Sequence, residues 1–102
     1  MANNLTANPM IITGSVTSYK SQTASALGTL RNLIVDYIRW EKPAVIGQEI
    51  SIGDPASGLI LADLVCSTAN QDVILDWTAS PRLWTDFAID VFPSGTLYIY
   101  TR

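Results

Sequence analysis

Short segments rich in β-branched and aromatic residues recur at roughly ten-residue spacing along this chain of 102 residues, separated by turns rich in Gly, Pro, Asn and Ser. Regular spacing of this kind is typical of a β-sandwich or barrel. The sequence predicts strands over residues 10–20, 30–40, 45–52, 58–65, 73–78, 85–92 and 96–101. We therefore expect an all-β fold, a single small antiparallel β-sandwich or barrel of about seven strands.

Residues 1–9 are polar and end at Pro9, which disfavours helical backbone in the residue before it. Besides Met1 they contain one large apolar side chain, Leu5, which is too little to order a segment by itself. We therefore expect residues 1–9 to form an extended N-terminal arm, and residues 10–102 to form the single β domain. We expect this arm to be mobile in the free protein and to become ordered along a neighbouring subunit or another partner.

Residues 24–38 allow two interpretations. Leucine and isoleucine recur at helical spacing between residues 27 and 38, which favours a helix. Gly28 and the density of β-branched and aromatic residues favour a strand. A strand is the preferred prediction. One of its faces would carry Ile34, Asp36, Ile38 and Trp40, and the other Val35, Tyr37 and Arg39.

Two further segments show clear alternation. In residues 96–101 both faces are apolar, with the tyrosines on one and the aliphatic residues on the other, so we expect this terminal strand to lie between two other strands. In residues 85–92 one face would carry Phe87, Ile89 and Val91, and the other Asp86, Ala88 and Asp90. Asp86 and Asp90 would be about 13 Å apart on such a strand, too far for a catalytic carboxylate pair, and are expected on its solvated face.

The chain contains no histidine, so no Ser–His or Cys–His nucleophile can form within one subunit. Cys66 is the only cysteine and is expected to be a small buried side chain at the end of a strand. Asp54 stands among turn residues and is expected to form an Asx-type turn rather than a calcium site. We therefore expect no catalytic residue, no cofactor and no metal.

Charge and hydrophobic length argue against two classes of partner, nucleic acid and membranes. The net charge is −3 and the six basic residues are scattered, so no basic surface for nucleic acid is expected. No segment approaches the roughly 20 apolar residues of a membrane span, and the first residues do not resemble a signal peptide. Only 15% of the residues are charged, which favours a surface covered by protein partners and bound mainly through uncharged contacts.

The three tryptophans have two interpretations, as a sugar-binding platform or as core and interface residues, and the second is preferred. The residues predicted to contact a partner are Leu5, Pro9, Met10, Trp40, Trp77, Trp84, Tyr98 and Tyr100.

Five stretches carry a resemblance to a known group of proteins. They are residues 94–100 at the carboxyl end, 7–10 at the amino end, and 38–40, 47–52 and 58–61 between them. With this pattern the chain resembles small virion proteins of tailed bacteriophages. The resemblance implies a non-enzymatic capsid decoration or cement protein that binds the major capsid protein or other virion proteins as a homo-oligomer, preferably a trimer.

The same resemblance implies that the protein folds in the cytoplasm of a bacterial host and resides in the virion. A component of the head-to-tail region, or a carbohydrate-binding part of the tail or adsorption apparatus, is the alternative.

Overall fold

Seven antiparallel strands form the fold in the computed structural model, which describes residues 3–20, 22–23 and 33–101. The strands are β1 (Met10–Ile12), β2 (Leu33–Glu41), β3 (Glu49–Gly53), β4 (Ile60–Val65), β5 (Val73–Asp76), β6 (Arg82–Trp84) and β7 (Thr96–Thr101). The prediction of an all-β fold with about seven strands is confirmed. Residues 33–38 are strand, and residues 24–32 of the ambiguous segment lie outside the described residues.

The larger sheet has the order β1-β7-β2-β5, and β6 pairs with the other half of the β2 edge that β5 occupies. The last strand of the chain therefore lies between β1 and β2, as predicted. Leu97 and Ile99 on its inner face are fully buried, and Tyr98 and Tyr100 on its outer face are half-buried. Pairing on both edges ties the carboxyl-terminal strand into the sheet.

A β-bulge in β2 changes which residues face the core. The register with β7 shifts between Val35 and Tyr37, so one extra residue lies between them. Val35 is buried before the bulge and Ile38 after it, whereas Ile34 is 42% exposed. The predicted faces were therefore wrong for the first half of the strand, because an unbroken alternation cannot describe a strand with an inserted residue.

The smaller sheet consists of β3 and β4, and single bridges connect it to the rest of the fold. Gly53 pairs with Ala88, and the next residue, Ile89, pairs with Val16. The inner faces of the two sheets share one core. Its fully buried members include Ile38, Trp40, Ile50, Ile52, Leu64, Phe87, Ile89, Leu97 and Ile99. This arrangement broadly agrees with the prediction of a sandwich or barrel, although the two sheets do not close into a barrel within the described residues.

The predicted strand over residues 85–92 was wrong, and the strand of this region is β6 (Arg82–Trp84) instead. Phe87 and Ile89 are buried as expected, but Val91 is 68% exposed. Asp86 is buried rather than solvated, and its carboxylate accepts hydrogen bonds from the Ser18 hydroxyl at 2.9 Å and the Lys20 amide at 3.0 Å. These contacts form with a segment far away in sequence, so alternation could not reveal them.

Several strands are shorter than predicted because side chains bind the backbone at their ends. After β1, Asn3 Oδ1 accepts hydrogen bonds from the amides of Thr13 and Gly14 at 2.8 and 3.0 Å. After β5, Asp76 Oδ1 accepts hydrogen bonds from the Thr78 amide and hydroxyl at 3.0 and 2.7 Å. Gln22, which follows the predicted strand over residues 10–20, has helical backbone, and its amide donates to the Ser18 carbonyl at 3.0 Å.

Residues 3–9 lie against the β domain. Asn4 and Ile11 exchange two backbone hydrogen bonds, so Asn4 occupies the outer edge of β1. Leu5 is 8% exposed and belongs to the core cluster. The Asn8 side chain donates to the Thr101 carbonyl at 2.8 Å and accepts from its amide at 3.0 Å. The described part of the segment thus has one apolar anchor and two polar attachments.

Candidate interaction surfaces

The residues predicted as a partner interface separate into two groups. Leu5, Met10, Trp40 and Trp84 are buried in the core. Pro9, Trp77, Tyr98 and Tyr100 are half-buried and keep accessible surface. Within one chain only the second group can contact a partner without a change of fold.

The tryptophans do not form a shared exposed platform. Trp40 is fully buried, and Trp84 packs edge-on against Trp77 with ring centroids 6.1 Å apart. The Arg82 guanidinium lies over the ring of Trp77 at 4.8 Å, so part of the one accessible tryptophan ring is covered. A sugar that stacks on two or three tryptophans has no surface of that kind here.

The outer face of the larger sheet brings three tyrosines together. Tyr37 lies opposite Tyr100 across the β2–β7 pair, with the rings in edge-to-face contact at 5.4 Å. Arg39 lies opposite Tyr98, and its guanidinium is 4.5 Å from the centre of that ring. Cross-strand aromatic and cation–π contacts of this kind stabilise a sheet and leave flat ring surface accessible.

Two carboxylates neutralise Arg39 on this face. Its guanidinium nitrogen lies 3.1 Å from a carboxylate oxygen of Asp72 and 3.1 Å from one of Glu41. The hydrogen bond to Asp72, followed by that to Glu41, raises the pKa of Arg39 above its already high ordinary value. The arginine therefore acts as a planar side chain held over the Tyr98 ring rather than as a free positive charge.

Aliphatic side chains extend this surface to both edges of the sheet. Ile74 of β5 lies opposite Arg39 and is 49% exposed, and Ile11 of β1 lies opposite Tyr98. One row of side chains thus crosses four strands, a width of about 14 Å at the usual strand spacing. We call this surface the tyrosine face and define it as Ile11, Tyr37, Arg39, Ile74, Tyr98 and Tyr100.

Sequence reasoning found Tyr98 and Tyr100 but missed Tyr37 and Arg39. Alternation places Tyr37 and Arg39 opposite Ile38 and Trp40, but their position beside Tyr100 and Tyr98 depends on the register with β7, which is offset by the bulge after Val35. No periodicity in the strand marks that inserted residue.

The other polar candidates have structural roles. Cys66 is buried directly after β4, as predicted. Asp54 Oδ1 accepts a hydrogen bond from the Ala56 amide at 2.9 Å, which confirms the Asx-type turn. The Asp86 carboxylate binds the Ser18 hydroxyl and the amides of Lys20 and Phe87 and so holds two segments together.

Within residues 3–20, 22–23 and 33–101, no group of three or more Cys, Asp and Glu side chains is arranged to hold a metal ion. The same residues include no helix with the length and apolarity needed to cross a membrane. Comparisons with protein-family models, curated proteins and solved structures find no match to this chain.

Proposed function

We propose that this chain is a non-enzymatic structural protein of a tailed-bacteriophage virion, most specifically a capsid decoration or cement protein that stabilises the head shell. Two considerations support the proposal. One is the resemblance carried by residues 94–100 and 7–10. The other is the tyrosine face, a partly exposed aromatic and aliphatic surface suited to contact with another folded protein.

The tyrosine face is the observation that carries a binding role. Tyrosine and arginine are enriched where proteins meet, because they offer large contact area with few rotatable bonds. Here Tyr98 and Tyr100 are held by neighbours on β2, so little side-chain freedom remains to be lost when a partner binds. In the proposed role this face lies on the major capsid protein.

The composition of this face predicts an attachment that is insensitive to salt. Arg39 is paired with Glu41 and Asp72, so its charge is not available to a partner. Contacts through rings and aliphatic side chains are not screened by ions. A single domain of this size offers roughly 800 Å² to a partner. Several copies, in the proposed homotrimer, would add their contacts through effective concentration.

The test is co-sedimentation of the purified protein with intact phage capsids. We expect the double substitution Tyr98→Thr and Tyr100→Thr to weaken binding at least about tenfold, because interface hot-spot residues each contribute more than about 1 kcal/mol. Threonine retains strand propensity, so a cooperative thermal melt should remain. The matched control is Val45→Thr, at an exposed apolar position in the loop before β3, and should bind normally.

Raising salt from about 0.1 to 1 M shortens the Debye length from roughly 10 to 3 Å and should release little protein from the particles. Wholesale release would mean that charged pairs carry the attachment. Failure of the unmodified protein to bind capsids, together with quenching of its fluorescence by glycans, would favour the alternative of a carbohydrate-binding tail or adsorption component.

A further inference from the structure

The edge of β3 opens into a groove because two paired segments diverge. Gly53 and Ala88 exchange backbone hydrogen bonds of 3.0 and 2.8 Å, the geometry of a close antiparallel pair. Continued pairing would place Ser51 opposite Asp90. Instead these two residues line opposite sides of an open groove of about 740 Å³.

At every second residue of β3, the backbone amide and carbonyl groups point into this groove. In a strand, the amide and carbonyl of one residue point to the same side, and those of the next residue to the other. Since Gly53 bonds to Ala88, the polar backbone groups of Ser51 and Glu49 also point away from β4. No described residue is bonded to the backbone of either one on that side. Among the described residues, this length of sheet edge is therefore unpaired.

Apolar side chains and carboxylates form the walls of the groove. Ile60 and Val91 are 64% and 68% exposed, unusually open positions for large aliphatic residues. Glu49, Asp54 and Asp90 supply three carboxylates, and no Lys or Arg is among the described lining residues.

The carboxylates also repel one another along the hairpin. Glu49 lies diagonally across the hairpin from Asp63 on β4. Asp63 raises the pKa of Glu49, first by favouring a shared proton in a hydrogen bond and then by its negative charge. A positive group in the groove would relieve that repulsion. The negative charge of the groove favours a basic side chain, and the strand edge favours an extended backbone. Both are properties of an extended basic peptide.

We propose that β3 accepts an extended segment of a partner polypeptide, which adds as a strand along Glu49–Gly53 and places a Lys or Arg side chain between Glu49 and Asp90. Strand addition to an open edge takes its affinity from main-chain hydrogen bonds and its specificity from alternate side chains. The apolar side chains of the added strand cover Ile60 and Val91. This site lies on the smaller sheet and does not depend on the capsid role of the tyrosine face.

Binding of synthetic peptides to the full chain tests the proposal. The probe is a ten-residue peptide of alternating lysine and valine. One control peptide replaces lysine with glutamate, and another places proline at alternate positions so that it cannot form a ladder. We expect the lysine peptide to bind with a Kd below about 1 mM and each control to bind at least about tenfold more weakly. Amide chemical-shift changes should centre on Ser51 and Asp90.

Charge removal provides the matched protein variants. The double substitution Glu49→Gln and Asp90→Asn should weaken binding of the lysine peptide at least about fivefold, because it removes two carboxylates from the groove. Asp76→Asn makes the same kind of charge change on the larger sheet and should leave binding unchanged. Equal binding of the lysine and glutamate peptides, or shift changes centred elsewhere, would overturn the proposal. Capsid co-sedimentation of the groove variant should remain normal, so the two proposals can fail separately.

Discussion

The indole nitrogen of Trp40 donates a hydrogen bond of 2.8 Å to the carbonyl oxygen of Ser94. This bond joins the end of β2 to the turn that leads into β7, the strand paired beside it. The next residue in that turn, Gly95, has a φ of 74°. A fully buried aromatic side chain thus holds the turn from which the last strand begins.

Gly95→Ala should be strongly destabilising for two reasons. The positive φ is unfavourable for a residue with a Cβ, and that Cβ would collide with the Glu41 carbonyl oxygen and approach Trp40 Nε1 to 3.0 Å. Gly58→Ala is the control, because its φ is 77° but no atom lies within 4 Å of the added carbon. Urea unfolding should show a loss of about 1 kcal/mol for Gly58→Ala and at least twice that for Gly95→Ala. Equal losses would show that the close contact is relieved without cost.

Truncation of the chain after Gly95 should abolish folding rather than fray one end. It removes β7, which is paired with both β1 and β2 and supplies the fully buried Leu97 and Ile99. We expect the truncated chain to lose its cooperative thermal transition. A soluble product with an unchanged melt would contradict the central position of β7.

The same isoleucine-to-alanine substitution at two positions of the larger sheet tests its packing without truncating the chain. Ile99→Ala should cost about 2–5 kcal/mol of unfolding free energy, because Ile99 is fully buried. Ile74→Ala, on the outer face and 49% exposed, should cost clearly less.

Leu5→Ala should lower the unfolding free energy by about 2–4 kcal/mol, because the side chain is 8% exposed within the core cluster. Leu59→Ala is the matched control at a residue 67% exposed and should change it by about 0.5 kcal/mol or less. Chemical denaturation of both variants measures the difference. Indistinguishable curves would mean that residues 3–9 behave as an independent arm.

Stability should fall slightly as pH rises through the raised pKa of Glu49. The hydrogen bond to Asp63 and the charge of Asp63 favour protonated Glu49 in the folded state. That contribution is complete below the pKa of the unfolded chain and disappears as pH rises through the folded value. Asp63→Asn should remove this loss of stability at higher pH. Relative to the unmodified protein, its melting temperature should therefore rise more at pH 7 than at pH 4.

Asp76→Asn should change the pH dependence of stability in the opposite direction. Hydrogen bonds from the Thr78 amide and then the Thr78 hydroxyl lower the pKa of Asp76. This contribution is present above the unfolded pKa and is lost as pH falls through the folded value. The substitution should therefore reduce the melting temperature at pH 7 and have little effect in strong acid. If both variants show the same pH profile, neither carboxylate behaves as described.

The sequence by itself determined the features that depend on local chemistry. Turn residues at regular spacing predicted an all-β fold of about seven strands. Alternation in residues 96–101 predicted two covered faces and a strand paired on both sides. The Asx turn at Asp54 also follows from neighbouring residues, because its hydrogen bond to the Ala56 amide spans only two positions. The burial of Cys66 was predicted from its residue type alone.

Only the tertiary structure decided which backbone groups meet across long distances in sequence. The bulge after Val35 placed Val35 on the inner face while Tyr37 and Arg39 stayed on the outer one, because the pairing with β7 sets the register of β2. Asp86 turned inward to bind the backbone near Lys20 and ended the alternation predicted there. The open edge of β3 likewise exists because its neighbour diverges after Ala88. In each case the residue that makes the contact is distant in sequence. The contact forms only when the intervening chain closes into a loop, which local propensity does not predict.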